Sequence, residues 1–262
     1  MQINFYKYQG TGNDFILLDN RQNEYAGLTN EQVQLMCDRH MGIGADGLML
    51  LNTKDNYDFE MIYYNADGNK GTMCGNGGRC LVNFAAKMGI KKDHYLFSAV
   101  DGDHEAKIDA HNNVSLKINN VNQVKDHEGN YILNTGSPHY IKYVSNIKAL
   151  DVFTEGSRIR NSKDFAAEGI NVNFVEKLSG NEIFVCTFER GVEDETLSCG
   201  TGVTAAALVS AYNSKGYNRV DVRTKGGRLA VEFDKINDSV FENIWLTGPA
   251  EFVFHGTIQL TL

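Results

Sequence analysis

The sequence predicts an α/β (α+β) fold of two similar halves made by internal duplication, each a strongly curved mixed or antiparallel sheet wrapped round a central helix. Three observations carry this expectation. First, "IYYNADGNKGTMCGNGGRCLVNFAAKMG" (62 to 89) and "CTFERGVEDETLSCGTGVTAAALVSAYNSKG" (186 to 216) share one order of parts. Each has a short β-like run, a polar loop, Cys-Gly-x-Gly, and a helix-like segment expected to end at Gly89 or Gly216, the usual glycine after a helix. Second, both are followed by alternating apolar and polar residues around turn signals. "YLFSAVDGDHEAKIDAHNNVSLKI" turns at Asp-Gly and Asn-Asn, and "RVDVRTKGGRLAVEFD" at Gly226-Gly227, as antiparallel hairpins do. Third, "VTAAALVSAY" is small and apolar nearly all round, the signature of a helix buried on most sides.

In the first copy Cys80, Leu81, Phe84, Ala85 and Met88 fall at helical spacing and mark a core-facing stripe. Cys80 lies six residues beyond Cys74, about 240° round an ideal helix, so the two thiols belong to different faces. A boundary is expected in the polar stretch near 119 to 130, which gives a first half of residues 1–120 and a second of 121–252.

At 262 residues the chain can bury a full core as one large domain or two modest ones. A net charge of -8 argues against nucleic acid or an anionic membrane surface as the main partner, since both require a basic patch. No apolar run approaches the roughly 20 residues of a membrane span, and the N-terminus lacks the apolar segment of an export signal. The five cysteines, Cys37, Cys74, Cys80, Cys186 and Cys199, are odd in number and sparsely spaced. That fits a reducing cytoplasm better than a disulfide framework. No C-x-x-C occurs and no histidines gather near the cysteines at ligand spacing, so no metal site is expected.

Two glycine loops resemble nucleotide motifs. "GIGADG" (42 to 47) follows a helix-like segment and enters a strand-like one, the reverse of a dinucleotide fingerprint, and is expected to be a tight reversal. "GTGVTA" (200 to 205) opens a helix with Asp221 downstream, as a Rossmann loop does. A charged loop separates it from the preceding strand, however, and the strands beyond it are hairpins. An NAD-binding or purely structural protein is therefore the competing class, and it leaves the repeated cysteine unexplained.

A cysteine at the start of a helix meets backbone N–H groups without helical partners and the positive end of the helix dipole. The thiolate is favoured there, and the N–H groups of residues 75 to 78 and 200 to 203 can bind a carboxylate. The bland alternative is that both cysteines are small core residues whose helices begin alike. If the two copies instead pack about a pseudo-twofold axis, both thiols meet in one active-site cleft. One thiolate can then remove an α-proton while the opposing thiol delivers a proton to the other face, with no metal or cofactor.

The chain resembles the diaminopimelate epimerase family along nearly its whole length. The matching stretches are "GTGNDF" (10 to 15), "GIGADG", "YNADG" (64 to 68), "MCGNG" (73 to 77), "GSPH" (136 to 139), "INVNF" (170 to 174), "ERG" (189 to 191) and "CGTG" (199 to 202). The resemblance implies interconversion of LL- and meso-diaminopimelate, on the route to lysine and peptidoglycan, without a cofactor, in a cytoplasmic protein that is often a homodimer. It implies that the C-terminal strand, "VFHGTIQLTL" (253 to 262), returns to the first half, and it implies Cys74 and Cys199 as the acid/base pair. Gly75, Asn76, Gly200 and Thr201 would cradle the α-carboxylate. Asn13, Asn65, Asn171 and Arg190 would hold the substrate, Glu189 would face an ammonium, and His139 would help orient the reacting centre. The sequence departs from the family pattern in three places. Ser137 stands where asparagine is frequent, and Gly47 where some members have glutamine. The 189–199 loop is one residue longer, with Glu193 where glycine is frequent. Within the wider superfamily the runner-up is a proline racemase or hydroxyproline epimerase, which resembles "MCGHG" where this chain has Asn76.

Overall fold

The computed structural model describes residues 1–260. Along the chain run β1 (Gln2–Gly10), β2 (Asn13–Asp19), α1 (Asn30–Cys37), β3 (Gly47–Asn52), β4 (Phe59–Asn65) and α2 (Gly75–Lys87). Then come β5 (His94–Ala99), β6 (Gly102–Ile108), β7 (Val114–Ile118), β8 (Val124–His127), β9 (Asn130–Asn134) and β10 (Pro138–Tyr143). A single 3-10 turn (Ile147–Ala149) leads to α3 (Val152–Arg160), β11 (Asn171–Lys177), β12 (Glu182–Glu189), β13 (Asp194–Thr196) and α4 (Gly200–Val209). The chain closes with β14 (Gly216–Thr224), β15 (Gly227–Lys235), β16 (Phe241–Gly248) and β17 (Glu251–Gln259). Contacts divide it into one unit of residues 1–116 and 249–262 and a second of 117–248. The end of the expected last strand, Thr261 and Leu262, lies outside the described residues.

The first unit pairs its strands in the order β17, β1, β2, β3, β4, β5, β6, β7. The pairings are mixed in direction: β2–β3 and β4–β5 are parallel and the others antiparallel. The second unit runs β8, β9, β10, β11, β12, β14, β15, β16, and its parallel pairs, β10–β11 and β12–β14, stand at the same two places. Helices fill the parallel crossovers, which cannot be made by a tight turn: α1 and α2 in the first unit, α3 and α4 in the second. The duplication thus extends to strand direction and to a second helix per copy.

Each sheet has a helix on either face because its strands alternate. Phe15 and Leu17 pack with Cys80, Leu81, Phe84 and Ala85 of α2, whereas Ile16 and Leu18 pack with Val33, Met36 and Cys37 of α1. The expected stripe of α2 is the buried one, Met88 lying at its partly buried end. In the second unit Val203 and Ala205–Leu208 of α4 are buried among Val175, Val185, Val220 and Val231. On the other face Val152 and Ile159 of α3 meet Val172, Phe174 and Phe188. An apolar side chain fully buried in this way contributes about 1.5–3 kcal/mol.

Local signals fix the ends of these elements. Thr29 and Gln32 form a reciprocal capping box at the start of α1. Gly89, at φ +96, ends α2 as expected. Gly216 does not end α4, which stops at Val209. There the Tyr143 hydroxyl takes up the Val209 carbonyl and the Ser210 hydroxyl, and Asn218 Oδ1 accepts the Asn213 N–H. Gly216, at φ +77, instead opens β14.

Candidate active site

The first constellation is built on the start of α2. Cys74 is its extended N-cap residue (φ -98, ψ 125), and the sulfur does not cap the helix. The first helical bond runs from Gly78 N–H to the Cys74 carbonyl at 2.7 Å. The donors that precede the helical ladder are therefore those of residues 75–77, one fewer than the four expected from sequence. "GTGNDF" supplies the opposing wall. Thr11 (φ 52) and Gly12 (φ 85) make a two-residue hairpin loop of the type in which both residues are left-handed. A β-branched residue is strained there, and the Thr11 hydroxyl answers by donating to the Gly10 carbonyl at 2.7 Å. Gly10 packs closely on α2: a Cβ there would stand 3.0 Å from the Asn76 carbonyl oxygen and 3.3 Å from Cys80 Sγ. The hairpin carries Asn13 to the cysteine, and the Cys74 thiol donates to Asn13 Oδ1 at 3.6 Å.

Asn76 is buried, and its amide is engaged within the protein: Nδ2 donates to Asn13 Oδ1 at 3.3 Å, and Oδ1 accepts from Arg79 Nη2 at 3.0 Å. Its contribution to a carboxylate cradle rests on the backbone. Arg79 escaped the sequence reading. It is 0% exposed, and its guanidinium donates to the oxygens of Thr11, Gly75, Asn76 and Pro249, all neutral. Burial lowers its pKa, while Cys80 and Cys74 act in the opposite direction. A cation within the otherwise small and apolar run from Gly77 to Val82 was the signal available. Asn65 ends β4 opposite Gly47 of β3. Gly47 is required by a neighbour: a Cβ there would stand 2.5 Å from the Tyr63 ring and 2.6 Å from the Tyr64 carbonyl oxygen.

The second constellation is built on the start of α4. Cys199 is again an extended N-cap residue (φ -112, ψ 112) that makes no cap bond, and Val203 N–H closes the first turn onto its carbonyl at 2.8 Å. Its sulfur lies 3.5 Å from Thr201 Oγ1. The Thr201 carbonyl accepts from the Thr135 hydroxyl at 2.8 Å, and the Thr204 hydroxyl donates to Gly200. Asn171, Ser137 and Arg190 come together. Asn171 Nδ2 donates to Ser137 Oγ at 2.8 Å and to the Pro138 carbonyl at 3.0 Å, and its Oδ1 accepts the Arg190 N–H at 2.9 Å. The Arg190 side chain reaches the Glu168 carbonyl and, at 3.5 Å, Ser137 Oγ. Ser137 is thus the hub that joins the asparagine to the arginine. Glu189 ends β12, paired with Asp194. Glu193 takes the left-handed conformation in which glycine is at ease (φ 58), and its carboxylate accepts from Gly191 N–H and from Arg160.

His139 stands beside Asn171 in the parallel pair and is 0% exposed. Its Nδ1 meets Asn173 Nδ2 at 3.1 Å. Because that amide nitrogen can only donate, Nδ1 is the acceptor and the ring proton sits on Nε2. Burial, reinforced by the Arg190 charge, pushes the imidazole down to about 3, so it is neutral. Asn173, also missed, ties His139 to Thr187, whose hydroxyl donates to Asn173 Oδ1 at 2.8 Å. Its position two residues beyond Asn171, on the same strand face, was the legible sign.

The remaining thiols are inert packing. Burial pushes Cys37, Cys80 and Cys186 each up to about 12, with Glu195 adding to the effect at Cys186. Among the described residues there is no group of three or more potential metal ligands, and no helix is long and apolar enough to cross a membrane.

A profile described as Diaminopimelate epimerase matches residues 5–124 and 131–253. The chain is 49% identical over 257 residues to the diaminopimelate epimerase of Flavobacterium psychrophilum, covering 98% of this chain and 100% of that protein. It is 47% identical over 260 residues to the diaminopimelate epimerase of Chlorobaculum tepidum, covering 96% and 99%. Among solved structures, a Bacillus anthracis phenazine biosynthesis protein of the PhzF family superposes with TM-score 0.75 at 16% identity, covering 99% of this chain and 100% of that one. A probable proline racemase from Agrobacterium radiobacter gives 0.65 at 15% identity, covering 99% and 93%. At such identities these two share the fold alone.

Proposed function

Since the chain belongs to the diaminopimelate epimerase family, we propose that it interconverts LL- and meso-diaminopimelate with Cys74 and Cys199 as two bases, one removing the α-proton and the other supplying a different proton to the opposite face. The observation that carries the reading is the same feature in both copies: a cysteine as extended N-cap residue, its sulfur left out of capping. Inversion without a cofactor needs two bases on opposite faces of one carbon. One thiolate takes the α-proton and becomes a thiol. The electron pair delocalises into the carboxylate as an enediolate, and the other thiol protonates the opposite face and becomes the thiolate. Protons and charge balance, and the reverse reaction exchanges the roles.

The α-carboxylate is assigned to the N–H groups of Gly75, Asn76, Gly200 and Thr201, where two helix dipoles stabilise charge as it develops. Arg190 suits the distal carboxylate through its planar fork, with Asn171 and Ser137 setting its place. Glu189 is assigned to an ammonium, and Asn13 and Asn65 to the substrate's polar groups. His139, neutral and bonded to Asn173, acts as a support behind Asn171. A cytoplasmic homodimer belongs to the same proposal, and the exposed Phe252, Val253 and Phe254 of β17 offer it apolar surface. LL-diaminopimelate in deuterated water, without added cofactor, should give meso product labelled at one α-carbon. Absence of both inversion and label would sink the assignment. Saturable NAD binding would favour the rival dinucleotide reading.

A further inference from the structure

The loop "GIGADG", read from sequence as a mere reversal, delivers Asp46 to Asn13. The Asp46 carboxylate accepts from Asn13 Nδ2 at 2.5 Å, from Asp14 N–H at 3.2 Å and from Arg39 Nη2 at 2.8 Å. Arg39 also bridges to Asp14, which pairs with the buried Lys7 at 2.6 Å. Burial alone would raise the Asp14 pKa, but hydrogen bonds and charge from Arg39 and Lys7 carry it down to about 2. The loop is therefore pinned by two cations, Arg39 on Asp46 and Lys7, which donates to the Gly44 carbonyl.

These contacts form a directed chain. Arg79 has only donors and gives one to Asn76 Oδ1, so Asn76 must turn Nδ2 outward, where it donates to Asn13 Oδ1. At the other end an ionised aspartate has only acceptors and takes Asn13 Nδ2. Both ends fix both amides, and neither can flip without facing donor to donor or oxygen to oxygen. Asn13 consequently shows its oxygen to the Cys74 sulfur. A carbonyl oxygen can accept from S–H but offers a thiolate only repulsion, so it favours the protonated form.

We propose that Asp46 is a positioning residue for Cys74: by holding Asn13 Nδ2 it turns the amide oxygen onto the sulfur and keeps the thiol protonated until substrate displaces that contact. The helix start and the buried Arg79 act in the opposite sense. Within this unit Cys80 on α2 also acts on Cys74, and Asp101, whose carboxylate accepts the N–H of the preceding residue Met73, lies 3.3 Å from His104. The inference rests on Cys74 being an acid/base thiol for its meaning, yet its test needs no turnover.

The test is the pH profile of Cys74 alkylation by iodoacetamide, read by peptide mapping, for the wild type, Asp46→Asn, Asn13→Ala and the double variant. With the acceptor-only carboxylate gone, only Asn76 Nδ2 still holds the Asn13 amide, which can then rotate its oxygen off the sulfur, and the midpoint should fall by about one pH unit. In the Asn13→Ala background the same Asp46 substitution should move it far less. An unchanged midpoint in Asp46→Asn, or an equal shift in both backgrounds, would overturn the proposal, the latter reducing Asp46 to a simple nearby charge. The infrared S–H stretch of the unsubstituted protein, assigned by its loss in Cys74→Ala, gives a check that needs no Asp46 variant. A band at the frequency of an unbonded thiol would overturn the contact, and a lowered one would support it. Failure of the epimerase assay would leave all these readouts intact.

Discussion

Gly77 and Gly202 hold equivalent places in the two Cys-Gly-x-Gly helix starts, yet a methyl group added at each should have opposite consequences. At Gly77 the new Cβ would run into the end of Met49, its methyl and sulfur. A thioether on a flexible chain can swing aside, and alanine is the better helix former by up to about 1 kcal/mol. Gly77→Ala should therefore change stability by no more than about 1 kcal/mol in either direction. At Gly202 the Cβ would overlap Asn173 Oδ1 and stand 3.3 Å from Thr187 Oγ1. That amide cannot swing: it is fully buried, accepts from Thr187, and donates to His139 Nδ1 at 3.1 Å and to the Tyr140 carbonyl at 3.2 Å. Turning it strands at least Thr187 and His139, and a buried polar group left unpaired costs about 1–3 kcal/mol. Less the helix-propensity gain, Gly202→Ala should cost about 1–5 kcal/mol. Urea unfolding of both variants, with the slope of the transition unchanged, measures this directly. Equal midpoints for the two, or a Gly202→Ala protein as stable as the wild type, would refute the account of how Asn173 seats α4.

Three further outcomes are expected. Cys74→Ala and Cys199→Ala should each abolish inversion in a coupled assay, whereas Cys80→Ala, at a fully buried thiol, should keep most activity and lose about 1 kcal/mol of stability; equal inactivation by all three would contradict the division of the thiols. His139 is neutral in the fold, about 3 against an ordinary 6.5, so the unfolded chain binds the extra proton between those values. Its contribution is present in full above about pH 6.5 and is lost as pH falls toward 3, by up to about 1.4 kcal/mol per unit. His139→Gln should flatten that slope in urea midpoints taken across the range, and an unaltered slope would count against the burial argument. Finally, Gly47→Gln should destabilise by about 1–3 kcal/mol through overpacking against the Tyr63 ring, and Tyr63→Ala should relieve part of it. Additive losses on thermal unfolding would show that the two do not share one space.

The repeat, the two buried helices and the cysteine at each helix start were legible because each rests on local chemistry repeated at intervals. Helix starts, glycine turns and period-2 strands are written in adjacent residues, so local sequence placed Cys74 and Cys199 at helix starts and Cys80 in the core. The end of α4 was not legible: the six residues between Val209 and Gly216 could have extended the helix, and Tyr143, far away in sequence, decides otherwise. Nor was the state of the asparagines. Asn13, Asn76 and Asn171 were expected to face a ligand, but their amides are largely occupied by Asp46, Arg79, Ser137 and one another. An amide is donor and acceptor alike, so sequence cannot say which end it shows. Only a donor-only or acceptor-only partner fixes that, and here the partners come from other strands and loops. The identity of the thiols was thus set by local sequence, and the direction of the hydrogen bonds around Cys74 by tertiary contact.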